Sequence, residues 1–65
     1  MNFIEILNDI MIEFDLNQTE FAKKVGIKQS QVSEWLNGKS KPGYDSIKAI
    51  CTALDISADR LLGLD

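Results

Sequence analysis

In the first segment of the chain, Phe3, Ile4, Leu7, Ile10, Met11 and Phe14 stand at helical spacings of three and four. Asn8, Asp9 and Glu13 fall on the opposite side, so the stripe predicts an amphipathic helix over 3–14. Leu16-Asn17-Gln18-Thr19-Glu20 reads as a second helix start. Asn17 suits an N-cap, Glu20 stands three residues on as a capping box requires, and Leu16 and Phe21 occupy the two positions of a hydrophobic staple. Phe21, Ala22 and Val25 mark the inward face of a helix over 18–25, which Gly26 ends by offering the left-handed conformation favoured at helix C-termini. Only Ile27 and Lys28 intervene before helical spacing resumes at Val32, Trp35 and Leu36, predicting a third helix over 29–36. Asn37-Gly38 stops it, and Lys39-Ser40-Lys41-Pro42-Gly43 forms a polar loop. Tyr44, Ile47, Ile50, Cys51 and Leu54 define a fourth helix over 44–54. Ser57 caps a fifth over 58–62, with Asp59 in its first turn where a negative charge suits the helix dipole. Leu61, Leu62 and Leu64 close the chain. No segment alternates apolar and polar residues over a strand length.

The expectation is therefore an all-α fold of five helices in one domain, 1–65. A chain of 65 residues buries about 60% of its unfolded surface. Its core must be well patterned, with nearly every apolar residue inside it. Cys51 is the only cysteine and histidine is absent, so no internal disulfide and no Cys/His metal cluster can be built. Cys51 lies on the apolar face of the fourth helix and reads as packing, not as a nucleophile. No catalytic residues and no cofactor are expected, and the chain reads as a non-enzyme. No small-molecule ligand is evident.

Charge changes the picture only when it is divided along the chain. The total is −3, which argues against a nucleic-acid partner. Residues 1–17 carry −4 and residues 49–65 carry −2, whereas residues 18–48 carry +3, with Lys23, Lys24, Lys28, Lys39, Lys41 and Lys48 set against Glu20, Glu34 and Asp45. A basic middle between acidic ends can present one positive face, though an ordinary solvated surface would read the same. The N-terminal residues lack the positive charge of a signal peptide, and no stretch approaches the roughly 20 apolar residues that span a bilayer. A reducing cytoplasm, with no membrane contact, is the expected setting.

Two short helices joined by a glycine turn inside a bundle form the helix-turn-helix pattern. Ala22 is the small residue that lets the helices approach, Gly26 supplies the left-handed turn, and Phe21, Val25, Ile27, Val32 and Trp35 supply the junction. The chain resembles the Cro/cI and Xre family of phage and bacterial repressors over about Leu7 to Leu62. The matching stretches are LNQTEFAKKVGIKQSQVSEWLNGK at 16–39, KP at 41–42 and IKAICTALDISADRLL at 47–62. The resemblance implies a five-helix lambda-repressor-like domain that binds double-stranded operator DNA as a homodimer, with its third helix in the major groove. It further implies that Gln18 bonds a phosphate and steadies Gln29, the first residue of the recognition helix. Glutamine can bond an adenine edge through two hydrogen bonds. Lys28, Ser30 and Glu34 match other positions near the DNA, and Glu34 could accept a bond from cytosine. Asn37, Lys39, Ser40 and Lys41 match the loop that contacts backbone phosphates, which positions the protein without reading sequence.

Two departures from the family stand out. Lys28 occupies the place where many relatives cap the third helix with Ser or Thr. Met11 and Leu36 occupy the places of a buried Arg–Glu pair, and exchanging both charges together for an apolar contact is often neutral or stabilising. The expected function is transcriptional regulation, as a repressor. Two alternatives stay open: the antitoxin of a toxin–antitoxin pair, and a protein-interaction module that has lost DNA binding.

Overall fold

A computed structural model describes residues 2–63, which fold into five helices with no strand among them: α1 Phe3–Glu13, α2 Gln18–Val25, α3 Gln29–Leu36, α4 Tyr44–Leu54 and α5 Ala58–Leu62. Leu64 lies outside the described residues. Four of the five helix starts have a local side-chain cause, and α4, which follows Gly43, has no side-chain cap. Asn2, Asn17 and Ser57 accept the backbone N–H three residues on, from Glu5, Glu20 and Arg60. At α2 the box is reciprocal, because the Glu20 carboxylate accepts from Asn17 N–H at 3.1 Å. α3 begins differently. Lys28 has no acceptor in its side chain, but Gln31 reaches back to accept Lys28 N–H at 3.3 Å. Half a capping box thus stands in for the missing Ser or Thr.

The helix ends share one device. A left-handed residue after α1, α2, α3 and α4 lets the next N–H bond back to the last turn, as in a Schellman motif. Leu16, Ile27, Lys39 and Ile56 donate to Met11, Ala22, Glu34 and Cys51 carbonyls at 2.9–3.1 Å. Gly26 and Gly38 take this conformation without a Cβ penalty, whereas Asp15 and Asp55 take it at φ 56° and 53° as tolerant polar residues. α1 accordingly ends at Glu13, one residue short of the expected 3–14, because Asp15 turns the chain.

Ile6, Leu7, Ile10 and Met11 of α1, Phe21 and Ala22 of α2, Val32 and Trp35 of α3, Ile50 and Leu54 of α4, and Leu61 of α5 form one buried cluster. Helix pairs α1–α3, α1–α5, α2–α3, α2–α4 and α4–α5 pack around it. Phe3 and Trp35 rings meet edge-on at 6.5 Å, a geometry aromatic quadrupoles favour. The Arg60 guanidinium pairs with the Glu13 carboxylate and ties α5 to the end of α1.

The expectation that nearly all apolar residues are interior needs correction. Ile12, Tyr44 and Leu62 are 77%, 79% and 46% exposed. Tyr44 is the first residue of α4, at the very end of the helix. Leu62 follows the fully buried Leu61 and so points about 100° away around the helix. Cys51 is half-buried and packs against the cluster.

Candidate nucleic-acid interface

α2 and α3 owe their mutual placement to the turn at Gly26. Its backbone sits at φ 87°, ψ 33°, and both Gly26 N–H and Ile27 N–H converge on the Ala22 carbonyl at 2.8 and 3.0 Å. Phe21, Ala22, Val32 and Trp35 are buried at the junction, with Val25 and Ile27 half-buried against them. The sequence therefore puts its largest apolar side chains where the two helices meet and leaves the other side of α3 polar.

The fold brings Gln18 and Gln29, the first residues of α2 and α3, into contact. The Gln29 Nε2–H donates to Gln18 Oε1 at 2.9 Å across eleven positions of sequence. Gln18 is half-buried and Gln29 exposed. This bond uses one donor of Gln29 and leaves its Oε1 and a second N–H, an acceptor and donor in the spacing of an amide.

Ser30, Glu34 and Asn37 follow one row of α3 at spacings of four and three, and all three are exposed. Ser33 falls in the neighbouring row, four residues from both Gln29 and Asn37, and its Oγ accepts from Asn37 Nδ2 at 3.4 Å. Sequence reasoning missed Ser33, although its spacing from Gln29 would have put it on this face. Glu34 is held from the loop beyond α3: the Ser40 hydroxyl donates to Glu34 Oε1 at 3.3 Å, and Lys39 N–H bonds the Glu34 carbonyl at 2.9 Å. Gly38, left-handed at φ 74°, makes that return possible. Lys28 precedes α3, and Lys39 and Lys41 follow it, all exposed, so cations stand at both ends of the polar face.

Among the described residues, a clear displacement of an ionisable group lies elsewhere. The Arg60 hydrogen bond holds the Glu13 carboxyl below its ordinary value; desolvation opposes it, and the guanidinium charge adds a lesser pull in the same direction as the bond. Among the described residues no group of acids, cysteine or histidine is placed to hold a metal ion, and no helix is long and apolar enough to cross a membrane.

A packed five-helix bundle whose second and third helices meet at a glycine turn, with a polar outer row and flanking lysines, defines the helix-turn-helix class. The chain belongs to the helix-turn-helix family, matched over residues 7–61, in agreement with the Cro/cI and Xre resemblance. It is also similar to the HTH-type transcriptional activator BcrR of Enterococcus faecalis, at 29% identity over 62 residues. That match takes in 95% of this chain but 30% of BcrR, so the chain spans less than a third of that relative's length.

Proposed function

We propose that the chain binds double-stranded DNA in a sequence-specific way and acts in transcription regulation, with α3 in the major groove. The observation that carries this reading is the Gln18–Gln29 hydrogen bond across the glycine turn. It fixes an amide at the leading end of an exposed polar helix face, where a base reader needs a defined orientation. Lys28, Lys39, Lys41 and Asn37 border that face and suit phosphate contacts, while Ser40 in the same loop directs its single O–H to Glu34. Gln29, Ser30 and Glu34 lie where base edges would be. Family membership and the regulator similar to it support the same assignment over an enzymatic one.

The reading extends to a homodimer on a two-fold symmetric operator. Leu62 supports a contact at this end of the molecule: it stays exposed beside an apolar groove formed with Phe3, Trp35, Pro42 and Ile47. A two-fold pair would engage half-sites about 34 Å apart. Repression is the direction we assign, although BcrR is by name an activator; a promoter–reporter assay with the selected operator separates the two.

Selection from a random duplex library at low salt, with the purified chain and a Gln29→Ala/Ser30→Ala control, tests the proposal. A two-fold symmetric motif that disappears with the control supports it. No retention of any duplex at about 50 mM salt, where phosphate contacts are strong, refutes it and favours a protein-interaction module.

A further inference from the structure

Glu34 is an unusual residue for a face that would meet DNA. Its carboxylate offers acceptors only, and a carboxylate close to phosphates is repelled. The fold gives it two partners in the loop that follows α3: the Ser40 hydroxyl donates to Oε1 at 3.3 Å, and the Lys39 N–H donates to its carbonyl at 2.9 Å. Ser30 stands one turn before it and Asn37 one turn after, which keeps Glu34 within the polar row and away from the buried Val32–Trp35 side.

We infer that Glu34 selects cytosine at one position of each half-site, with Ser40 as its positioning residue. This inference rests on the DNA-binding reading above. The chemistry of the major groove decides the base. Cytosine presents the N4 amino donor, which an acceptor-only carboxylate can bond. Guanine presents N7 and O6 and thymine presents O4, all acceptors that repel it. Adenine has an amino donor, but its N7 acceptor lies beside it and disfavours a carboxylate. Glu34 thus acts as much by rejecting three bases as by accepting one. Ser40 belongs to the same loop as Lys39 and Lys41, so the hydroxyl that aims the reader is carried by the segment that would grip the backbone.

The substitution Glu34→Gln gives a sharp test, because an amide keeps the length and changes the donor pattern. Glutamine pairs a donor and an acceptor, which suits adenine N7 and N6. Library selection with the wild-type chain and the E34Q variant should recover motifs that differ at one position per half-site. There cytosine is replaced by adenine, with a change in preference of about tenfold or more, while the positions read by Gln29 keep their bases. Ser40→Ala should weaken the cytosine preference without moving it, and Ser40→Thr, which keeps the hydroxyl, should restore it. Circular dichroism of each variant checks folding. The same motif from wild type and E34Q, with only an overall gain in affinity from the lost negative charge, would overturn the assignment. Equal preferences in the Ser40→Ala and wild-type chains would overturn the positioning role. No motif from the wild-type chain at all would overturn the DNA-binding reading and this inference with it, an outcome distinct from an unchanged motif.

Discussion

Alanine at position 26 adds one methyl group in a conformation that an L side chain resists. Gly26 lies at φ 87°, and an added Cβ would meet nothing within 4 Å. No clash and no cavity enters the comparison, and the two bonds to the Ala22 carbonyl remain geometrically possible. The cost is then the left-handed penalty of an L residue, about 1–2 kcal/mol. It is offset by about 0.4–1 kcal/mol, because alanine has less freedom to lose from the unfolded chain. The net destabilisation of Gly26→Ala is on the order of 1 kcal/mol, which lowers Tm by roughly 4–8 °C for a chain of this size. Thermal and urea melts followed by far-ultraviolet circular dichroism measure it. Gly26→Asn should cost less, since asparagine tolerates the left-handed region. Asp55→Gly, made at a left-handed position with a side chain already in place, should shift Tm upward. A neutral Gly26→Ala, a loss above about 3 kcal/mol, the upper end for one strained residue, or a costlier asparagine would refute the view that backbone handedness alone sets the value. Well below the melt, DNA retention by Gly26→Ala should match wild type.

Three further outcomes follow from other parts of the molecule. Leu36 is half-buried beside the cluster that contains Met11, so Leu36→Glu should cost at or below the lower end of the roughly 3–5 kcal/mol of an unpaired buried charge. Adding Met11→Arg should recover much of that in urea melts if the two side chains touch, and no recovery rejects the contact. The Arg60 bond lowers the Glu13 carboxyl pKa in the folded state, so its stabilising effect is present above the ordinary value of 4.5 and is lost as pH falls through the lowered one. The Tm gap between wild type and Glu13→Gln should close over that interval, and a gap that widens on acidification contradicts the sign. Gln29→Ala should lose about 1–3 kcal/mol of operator affinity and relax preference at one base position; an equal loss on all sequences would assign Gln29 to the backbone.

The helices were legible because their signals are local. Asn17 with Glu20, Gly26, Asn37-Gly38 and Ser57 each act within four residues, and the structure uses each in that way. The Asn2 cap escaped notice although it has the same local signal as Asn17 and Ser57, a capping residue just before a helical apolar stripe. The left-handed turns at Asp15 and Asp55 escaped because aspartate, unlike glycine, does not advertise the conformation. Burial was read less well. Tyr44 falls on the apolar stripe of α4, yet the stripe says nothing about whether a neighbour reaches its first turn. The Gln18–Gln29 contact followed from the family resemblance, since spacing alone cannot bring together residues on two helices. The Ser40–Glu34 bond had no signal at all: it depends on how the chain returns after Gly38.

The length of α3 carries a consequence for addressing. Eight residues of helix rise about 12 Å, equal to about three or four base-pair steps at 3.4 Å each. A four-base word recurs roughly once in every 250 base pairs of random sequence, against the about 10⁶–10⁹ competing sites of a genome. One copy of this face therefore carries too few bits to name a single promoter. On the proposed reading, two copies acting together would square the odds, so the information capacity would reside in pairing and spacing more than in any one side chain of α3.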